Sequence, residues 1–458
     1  MAKFIFRNRR NATILTSTTN RYDKYKDSGI EWIDKIPLHW DVEKLKTLFN
    51  FGKGLSITKD NLTETGIPVI SYGQIHSKSN TGTQISDELI RYVPETYLEN
   101  NIQSLVNRGD FIFADTSEDI EGAGNCVFVD KQLTLFAGYH SIILKNKEHD
   151  YNLGKYLSYL FKTDLWRIQV RANVNGIKVY SISQKVLKQI TALVPSKNEQ
   201  EAIAGYLDRK CGAIDETIEK QKSVIEKLKE YKQSIITQAV TKGLDKSAPM
   251  KDSGIEWLGQ IPQHWDSIKL KYKFRIKKDI AGEEGFDILS VTQQGLKIKD
   301  ISTNEGQLAM DYSKYQIVKP SDFVMNHMDL LTGWVDCSAY FGVTSPDYRV
   351  FVNTDQKNCN NQYYNYVFQI CYKNKIFYGL GQGVSGLGRW RLQSDKFLNF
   401  RIPIPPYNEQ EQIVQYINKK CSEIDKTIED KEKLIEKLLE YKKSLIYECV
   451  TGKRRVVA

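Results

Sequence analysis

Lys26-Asp-Ser-Gly-Ile-Glu-Trp32 recurs later in the chain as Lys251-Asp-Ser-Gly-Ile-Glu-Trp257. The likeness runs on, with Ile36-Pro-Leu-His-Trp-Asp41 matching Ile261-Pro-Gln-His-Trp-Asp266, and Lys44-Leu-Lys46 matching Lys269-Leu-Lys271. A second block opens at Asn198-Glu-Gln-Glu201 and recurs from Asn408-Glu-Gln-Glu411. It carries Ile214-Asp215 onto Ile424-Asp425, Ile225-Glu-Lys-Leu228 onto Ile435-Glu-Lys-Leu438, and Glu230-Tyr-Lys232 onto Glu440-Tyr-Lys442. A repeat on this scale marks duplication of a structural unit. The order is short motif, globular stretch, long helix, then the same again. The enclosed stretches, 47–192 and 272–402, show little similarity to each other, so a duplicated frame holds two different inserts.

The second block is helical. Ile214, Ile218, Gln221, Ile225, Leu228, Lys232 and Ile235 follow alternating spacings of four and three, as do Ile424, Ile428, Lys431, Ile435, Leu438, Lys442 and Leu445. That is a heptad seam with charged flanks, and Gly243 and Gly452 follow as stop signals. About 40 residues at 1.5 Å each give a rod of about 60 Å. Both copies place a polar residue at the same two seam positions, Gln221/Lys431 and Lys232/Lys442. Either the seam tolerates them on a surface-facing register, or they fix the pairing register at a cost in stability. If the two helices pair, connectivity makes them antiparallel, with one globular domain at each end and a pseudo-two-fold relating the halves.

The inserts read as mixed α/β. Strand-like runs include Pro68–Tyr72, Phe111–Phe113, Ser141–Leu144, Asp287–Val291, Phe323–Met325 and Arg349–Val352, and helices are expected over Asn152–Lys162 and Gln362–Tyr378. Leu193-Val-Pro195 and Ile402-Pro-Ile-Pro-Pro406 close the inserts. The chain has 458 residues with 41% apolar and 11% aromatic side chains, which suffices for packed cores and argues against a disordered protein. No apolar run approaches the 18 or so residues of a membrane span, and Phe4-Ile5-Phe6 is too short an apolar run for a secretory signal. Seven scattered cysteines without a Cys-x-x-Cys pair read as reduced thiols, so a cytoplasmic protein is expected.

The net charge of +9 suggests a polyanionic partner, yet its placement matters more than its sum. The first 26 residues hold seven bases against Asp23 alone, and read as a solvated basic arm. The helical blocks are nearly balanced, with eight bases and eight acids over 198–243 and nine and ten over 408–453. Nucleic-acid binding would therefore rest on local patches within the inserts.

Several motifs imitate catalytic ones. Gly381-Gln-Gly-Val-Ser-Gly386 fits G-x-G-x-x-G but follows a helix and precedes a poor helix start, the wrong setting for a dinucleotide. Pro405-Pro-Tyr407 imitates an adenine methyltransferase motif, but Ile404 stands where that chemistry needs Asp, Asn or Ser to hold the amino group. Pro346-Asp347 with Asp355-Gln-Lys357 has the spacing of a metal-dependent nuclease, a spacing that arises easily in a chain with 26% charged residues. No Walker motif is present. The six histidines show no metal-ligand spacing, and His39-Trp40 and His264-Trp265 read as packing anchors of the frame. No catalytic, cofactor or metal site is expected in this chain.

The doubled Lys-Asp-Ser-Gly-Ile-Glu-Trp and Ile-Pro-x-His-Trp motifs, with the doubled Asn-Glu-Gln-Glu opening a heptad helix, resemble the specificity (S) subunit of Type I restriction-modification enzymes. The resemblance runs from Lys26 to Lys453 and leaves residues 1–25 outside it. It implies target-recognition domains over 26–197 and 248–407 and spacer helices over 198–247 and 408–453; outside it, composition gives a basic extension over 1–25 and a basic tail over 454–458. By resemblance each insert reads one half of a bipartite, asymmetric double-stranded DNA target, and the paired helices set the half-site spacing. They also dock two methyltransferase (modification) subunits, which restriction (helicase-nuclease) subunits join in phage defence. Adenine methylation and ATP-driven cleavage would belong to those partners, as would S-adenosylmethionine, ATP and Mg.

Base edges are read by Arg, Lys, Asn, Gln and Ser/Thr, and phosphates by Lys, Arg and Tyr. Polar residues on turns just beyond strands are the candidates: Tyr72, Gln74, His76, Ser77, Lys78 and Lys178 in the first insert, and Gln293, Gln294, Lys297, His327, Arg389 and Arg391 in the second. The Gly379–Gly388 loop would let backbone approach DNA closely. The helix-pairing seam is expected at Ile214, Ile218, Ile225, Leu228, Ile235, Ile424, Ile428, Ile435, Leu438 and Leu445. Two rival readings are a nuclease built on Asp347, Asp355 and Lys357, and a coiled-coil scaffold whose globular ends bind proteins.

Overall fold

The computed structural model describes residues 21–30, 33–176, 178–300, 309–383 and 390–456. The chain divides into two compact units, Met1–Lys220 with Leu434–Ala458, and Gln221–Lys433. The division falls inside the two long helices, Lys197–Lys242 and Tyr407–Val450, so each unit holds the start of one helix and the end of the other.

In the first unit, four antiparallel strands run in the order Cys126–Phe128, Phe111–Ala114, Ser141–Asn146, Phe49–Lys53. A second sheet runs Arg91–Val93, Ile67–Ile70, Leu135–Ala137, Leu105–Val106, with its middle pair parallel. Phe111–Ala114 is buried along its whole length, which is why its sequence, Phe-Ile-Phe-Ala, is continuously apolar rather than alternating. The helix Tyr151–Leu160 starts where Asp150 accepts the amides of Asn152 and Leu153, and it packs its apolar face on this sheet.

The second unit has the same plan. One sheet runs Val335–Cys337, Phe323–Met325, Arg349–Asn353, Phe274–Lys277, all antiparallel. The other runs Gly295–Ile298, Ile288–Thr292, Gly342–Thr344, Gln316–Val318, again with its middle pair parallel. Two inserts of little evident similarity thus share one topology, strand for strand. Burial pattern and strand pairing specify a sheet, and many different apolar residues satisfy both. The expected helix over Gln362–Tyr378 is two helices, Asn361–Lys373 and Ile376–Gly379. Lys375 breaks it in the left-handed conformation, φ +57°, where the helix cannot continue. Tyr72, expected at a strand end, instead opens the short helix Tyr72–Ile75.

The repeated frame builds the same joint twice. Tyr25–Asp27 pairs with Lys35–Pro37, and Met250–Asp252 with Gln260–Pro262, in equivalent register. Trp40 and Trp265 are fully buried. Trp40 Nε1 donates to Glu199 Oε1 at 3.3 Å, and Trp265 Nε1 to Glu409 Oε2 at 2.8 Å. His39 and His264 meet the same two carboxylates at 2.8 and 2.6 Å. The glutamate of Asn-Glu-Gln-Glu is therefore the partner of His-Trp, which is why the two motifs are duplicated together. Gln200 and Gln410 each donate to a proline carbonyl just before their helix, Pro195 and Pro405, at 2.8 Å.

The far end of each helix is held in the same way. The Tyr156 hydroxyl donates to the Val450 carbonyl at 3.0 Å, and the Tyr363 hydroxyl to the Val240 carbonyl at 2.8 Å. Gly452 (φ +70°) and Gly243 (φ +73°) then end the helices in a left-handed turn. A Cβ on Gly452 would lie 2.3 Å from Pro37, so close approach to the frame also requires glycine there.

Within the first unit Ile214, Ile218 and Leu445 are buried, and Ile435 and Leu438 half-buried, in one apolar cluster. Lys442 Nζ lies 2.6 Å from Asp215. Within the second unit Ile225, Ile235 and Ile424 are buried, and Leu228 and Ile428 half-buried. There Lys232 Nζ meets Asp425 at 2.7 Å, and Lys431 donates to Gln221 Oε1 at 2.9 Å. Among the described residues no helix is long and apolar enough to cross a membrane.

Candidate nucleic-acid interface

In the first unit Tyr72, Gln74, His76, Ser77 and Lys78 lie on or just after the short helix that follows strand Ile67–Ile70, and Lys178 lies on a separate loop before Tyr180–Ser181. Ser71 caps the short helix, and the Gln74 side chain reaches back to the Ser71 amide at 3.2 Å, so Gln74 is partly committed to the cap. His76 is held at both ring nitrogens. Its Nε2 lies 2.9 Å from the Thr116 carbonyl and its Nδ1 3.0 Å from the Asn125 amide nitrogen. That pairing makes Nε2 the donor and leaves His76 no free polar atom, which fits a support for the loop 115–125 better than a base reader. Tyr72 packs edge-on against His76 at 4.9 Å and donates to Glu118 at 3.3 Å. Burial, and then the Glu118 carboxylate, raise the Tyr72 hydroxyl above the usual phenol range, so it stays a neutral donor. Ser77 is half-buried, with its Oγ accepting the Ser79 amide, while Lys78 and Lys178 are exposed. Glu118 and Asn125 join this patch from a loop without periodicity, so no pattern in the sequence marks them.

In the second unit Gln293, Gln294 and Lys297 come together on one hairpin between Ile288–Thr292 and Gly295–Ile298, and all three are exposed. Gly295 (φ +107°) makes the turn, and Asp336 accepts the Leu296 amide at 2.8 Å, which anchors the tip. Lys297 donates to Gln294 at 2.6 Å and Gln293 to the Thr332 carbonyl at 3.2 Å. The tip presents amide donors and acceptors with one cation, the chemistry that reads base edges.

His327 does not fit the expected exposed reader. It is 8% exposed, lies beneath the segment whose Leu392 amide donates to its carbonyl, and its Nδ1 has no partner among the described residues. Burial, with Arg349 and Arg391 nearby, pushes it down to about 3, so it is neutral and can neither reach nor attract a phosphate. Arg391 is exposed beside it. Arg349, itself buried, donates to the Leu392 carbonyl at 2.8 Å and lies over the Phe397 ring at 4.8 Å. Arg389 and part of the Gly379–Gly388 loop lie outside the described residues, as do residues 1–20 of the basic arm.

The nuclease-like residues are not assembled as a metal site. Asp355 is committed to Lys273 and Asn358 and has its own amide on Asn353, Asp347 sits in a turn on Ser345, and Lys357 is exposed. Among the described residues no three His, Cys, Asp or Glu side chains are grouped to hold a metal ion.

Comparison with known proteins gives a consistent result. The profile of the "Type I restriction modification DNA specificity domain" matches twice, over residues 37–229 and 274–439. Two specificity subunits of type I restriction enzymes from Methanocaldococcus jannaschii align over nearly their whole length. MjaX, a provisional name, is 24% identical over 93% of this chain and 96% of its own, and MjaVIII is 25% identical over 92% and 94%. A chain from a structural study of complex assembly in the type I R-M system has the same fold, with TM-score 0.65 at 12% identity, over 91% of this chain and 98% of its own. The HsdS subunit of Thermoanaerobacter tengcongensis superposes with TM-score 0.51 at 12% identity, over the same shares.

Proposed function

Because the chain belongs to the type I restriction-modification DNA specificity family, we propose that its two units read the two halves of a bipartite, asymmetric DNA target, one half each. The protein is a DNA sequence-specificity subunit of a type I restriction-modification system, and catalysis lies in the subunits it assembles with. The observation that carries the two-half reading is the duplication itself. One sheet topology is set twice on one frame-to-helix joint, while the exposed tips differ entirely, a patch of Tyr72, Lys78 and Glu118 in one unit and the Gln293-Gln294 hairpin in the other. A fixed scaffold with two unlike reading tips suits an asymmetric target, since different side chains select different bases.

The long helices pair as an antiparallel coiled coil in this reading and set the distance between half-sites. Support comes from the buried seam and from the cross-helix pairs Lys442–Asp215 and Lys232–Asp425. Two methyltransferase subunits dock on the frame and helices, restriction subunits join them, and S-adenosylmethionine, ATP and Mg²⁺ bind to those partners. The location is the cytoplasm, where the chromosomal DNA and those cofactors are found.

The test is co-expression with the matching methyltransferase subunit, sizing of the complex by light scattering, and adenine-methylation mapping of bulk DNA. One chain with two partners, methylating a two-part motif, is the expected result. A methylated motif in a single uninterrupted block would overturn the two-half reading. A complex that forms but methylates without sequence preference would remove the recognition role.

A further inference from the structure

Behind the Tyr72–Lys78 patch lies a cavity of about 80 Å³, lined among others by Ser77, Asn80, Thr81, Gly82, Lys162 and Arg167. A water needs only about 10–15 Å³ of such space, so several waters or one small polyatomic group fit. Its lining is lopsided in charge. Lys162 and Arg167 are half-buried, and among the described residues neither has an ion pair; Arg167 spends only Nε, on the Phe161 carbonyl at 3.0 Å. The carboxylates near them are committed elsewhere: Asp215 to Lys442 at 2.6 Å and Asp164 to Arg171 at 3.4 Å.

A cation withdrawn from water without a counter-ion is costly, and a fold retains two side by side only at a price that a bound anion would remove. Burial, then the nearby Lys442, pushes Lys162 down to about 8. The facing loop is suited to the complement. Asn80 Nδ2 ties the loop to the Ile75 and Cys126 carbonyls at 2.7 and 3.0 Å, and Gly82 takes the left-handed φ of +75° that turns it beside the Lys162 stem. Ser77, whose Oγ accepts the Ser79 amide, keeps a hydroxyl proton that can be given to an oxyanion beside the two cations, while the Thr81 hydroxyl is given to the Gln84 carbonyl at 3.4 Å. Counted from the equivalent tyrosines Tyr156 and Tyr363, the second unit has the neutral residues Gln369 and Asn374 where Lys162 and Arg167 stand.

We infer that this cavity seats a phosphate group, with Lys162 and Arg167 supplying the charge and the Ser77–Gly82 loop the hydrogen-bond donors. The phosphate comes either from the DNA backbone, which rests on the reading of this unit as a DNA-recognition domain, or from free phosphate or a nucleotide.

Two measurements on the full chain in complex with its methyltransferase partner decide this, comparing wild type with Lys162→Met, which keeps the stem, and Lys162→Arg, which keeps the charge. Without DNA, inorganic phosphate at constant ionic strength is expected to raise the Tm of wild type and Lys162→Arg beyond the general effect of the salt, which Lys162→Met alone reports. With DNA, the slope of log affinity against log salt is expected to fall by about one in Lys162→Met, alike for target and non-target sequences. Both effects together assign the seat to a backbone phosphate. The phosphate effect without the slope change assigns it to a free phosphate or nucleotide. Identical Tm responses and identical slopes in all three proteins would overturn the proposal, and two-part methylation by the same complex would show that the recognition reading survives it.

Discussion

Glu199 and Glu409 each hold an indole N–H that no water can reach. Trp265 is fully buried, so Glu409→Ala would leave its Nε1 without an acceptor, a loss of about 1–3 kcal/mol. Glu409→Gln keeps one acceptor and is expected to lose less. Denaturant unfolding of the chain reads both, and equal losses would mean that the carboxylate charge, not the indole bond, matters. The sequence made the Trp motif legible because an aromatic copied twice signals packing, but it did not reveal the partner, which lies 144 residues away. His327 shows the opposite limit. A polar residue just after a strand reads as an exposed turn residue, and only the fold shows it covered. Because its folded-state value lies near 3, below the ordinary 6.5, the unfolded chain gains a proton first as pH falls. Its stability is therefore unaffected above about pH 6.5 and declines between about 6.5 and 3, by about 2 kcal/mol at pH 5. His327→Leu is expected to flatten that part of the stability profile. An unchanged profile would show that His327 titrates normally.

At the scale of elements, the heptad spacing announced both long helices, and glycine marked where they stop. The two open readings of the polar seam positions are narrowed by what those side chains touch. Lys232 and Lys442 do not simply point into solvent, for each meets an aspartate of the other helix, within its own unit. Such pairs add little stability while half-exposed, about 0.2–1 kcal/mol, so their effect is expected in register rather than in stability. Asp425→Lys should lower stability by less than about 1 kcal/mol, and the exchange Lys232→Asp with Asp425→Lys should restore it. Failure of the exchange to restore would mean that the contact is incidental. The break at Lys375 was invisible in the sequence because Tyr363 to Tyr378 keeps an apolar periodicity through it. A lysine carries no turn signal, and tertiary packing places it in the left-handed region.

At the scale of the whole molecule, the proposed role of the long helices as a spacer makes half-site separation a consequence of helix length. Four residues added to each long helix lengthen the rod by about 6 Å, a little under two base pairs at about 3.4 Å each. The methylated motif is expected to keep both half-sites and widen its gap by about one to two base pairs. Methylation mapping of the variant complex reads this directly, and altered half-sites would end the ruler idea.

What the sequence determined by itself was everything carried by repetition and local period: two frames, two long helices, two enclosed α/β inserts and the family they resemble. Those signals lie along the chain, within a few turns or strands of each other. Only the tertiary structure decided that both inserts share one topology, that His-Trp of the frame closes on the glutamate of the helix, and that His327 is covered while Lys162 and Arg167 face a common cavity. Each of these depends on elements far apart in sequence. Whether a given side chain is exposed, paired or left without a counter-ion is settled by what packs against it, and no local pattern records that.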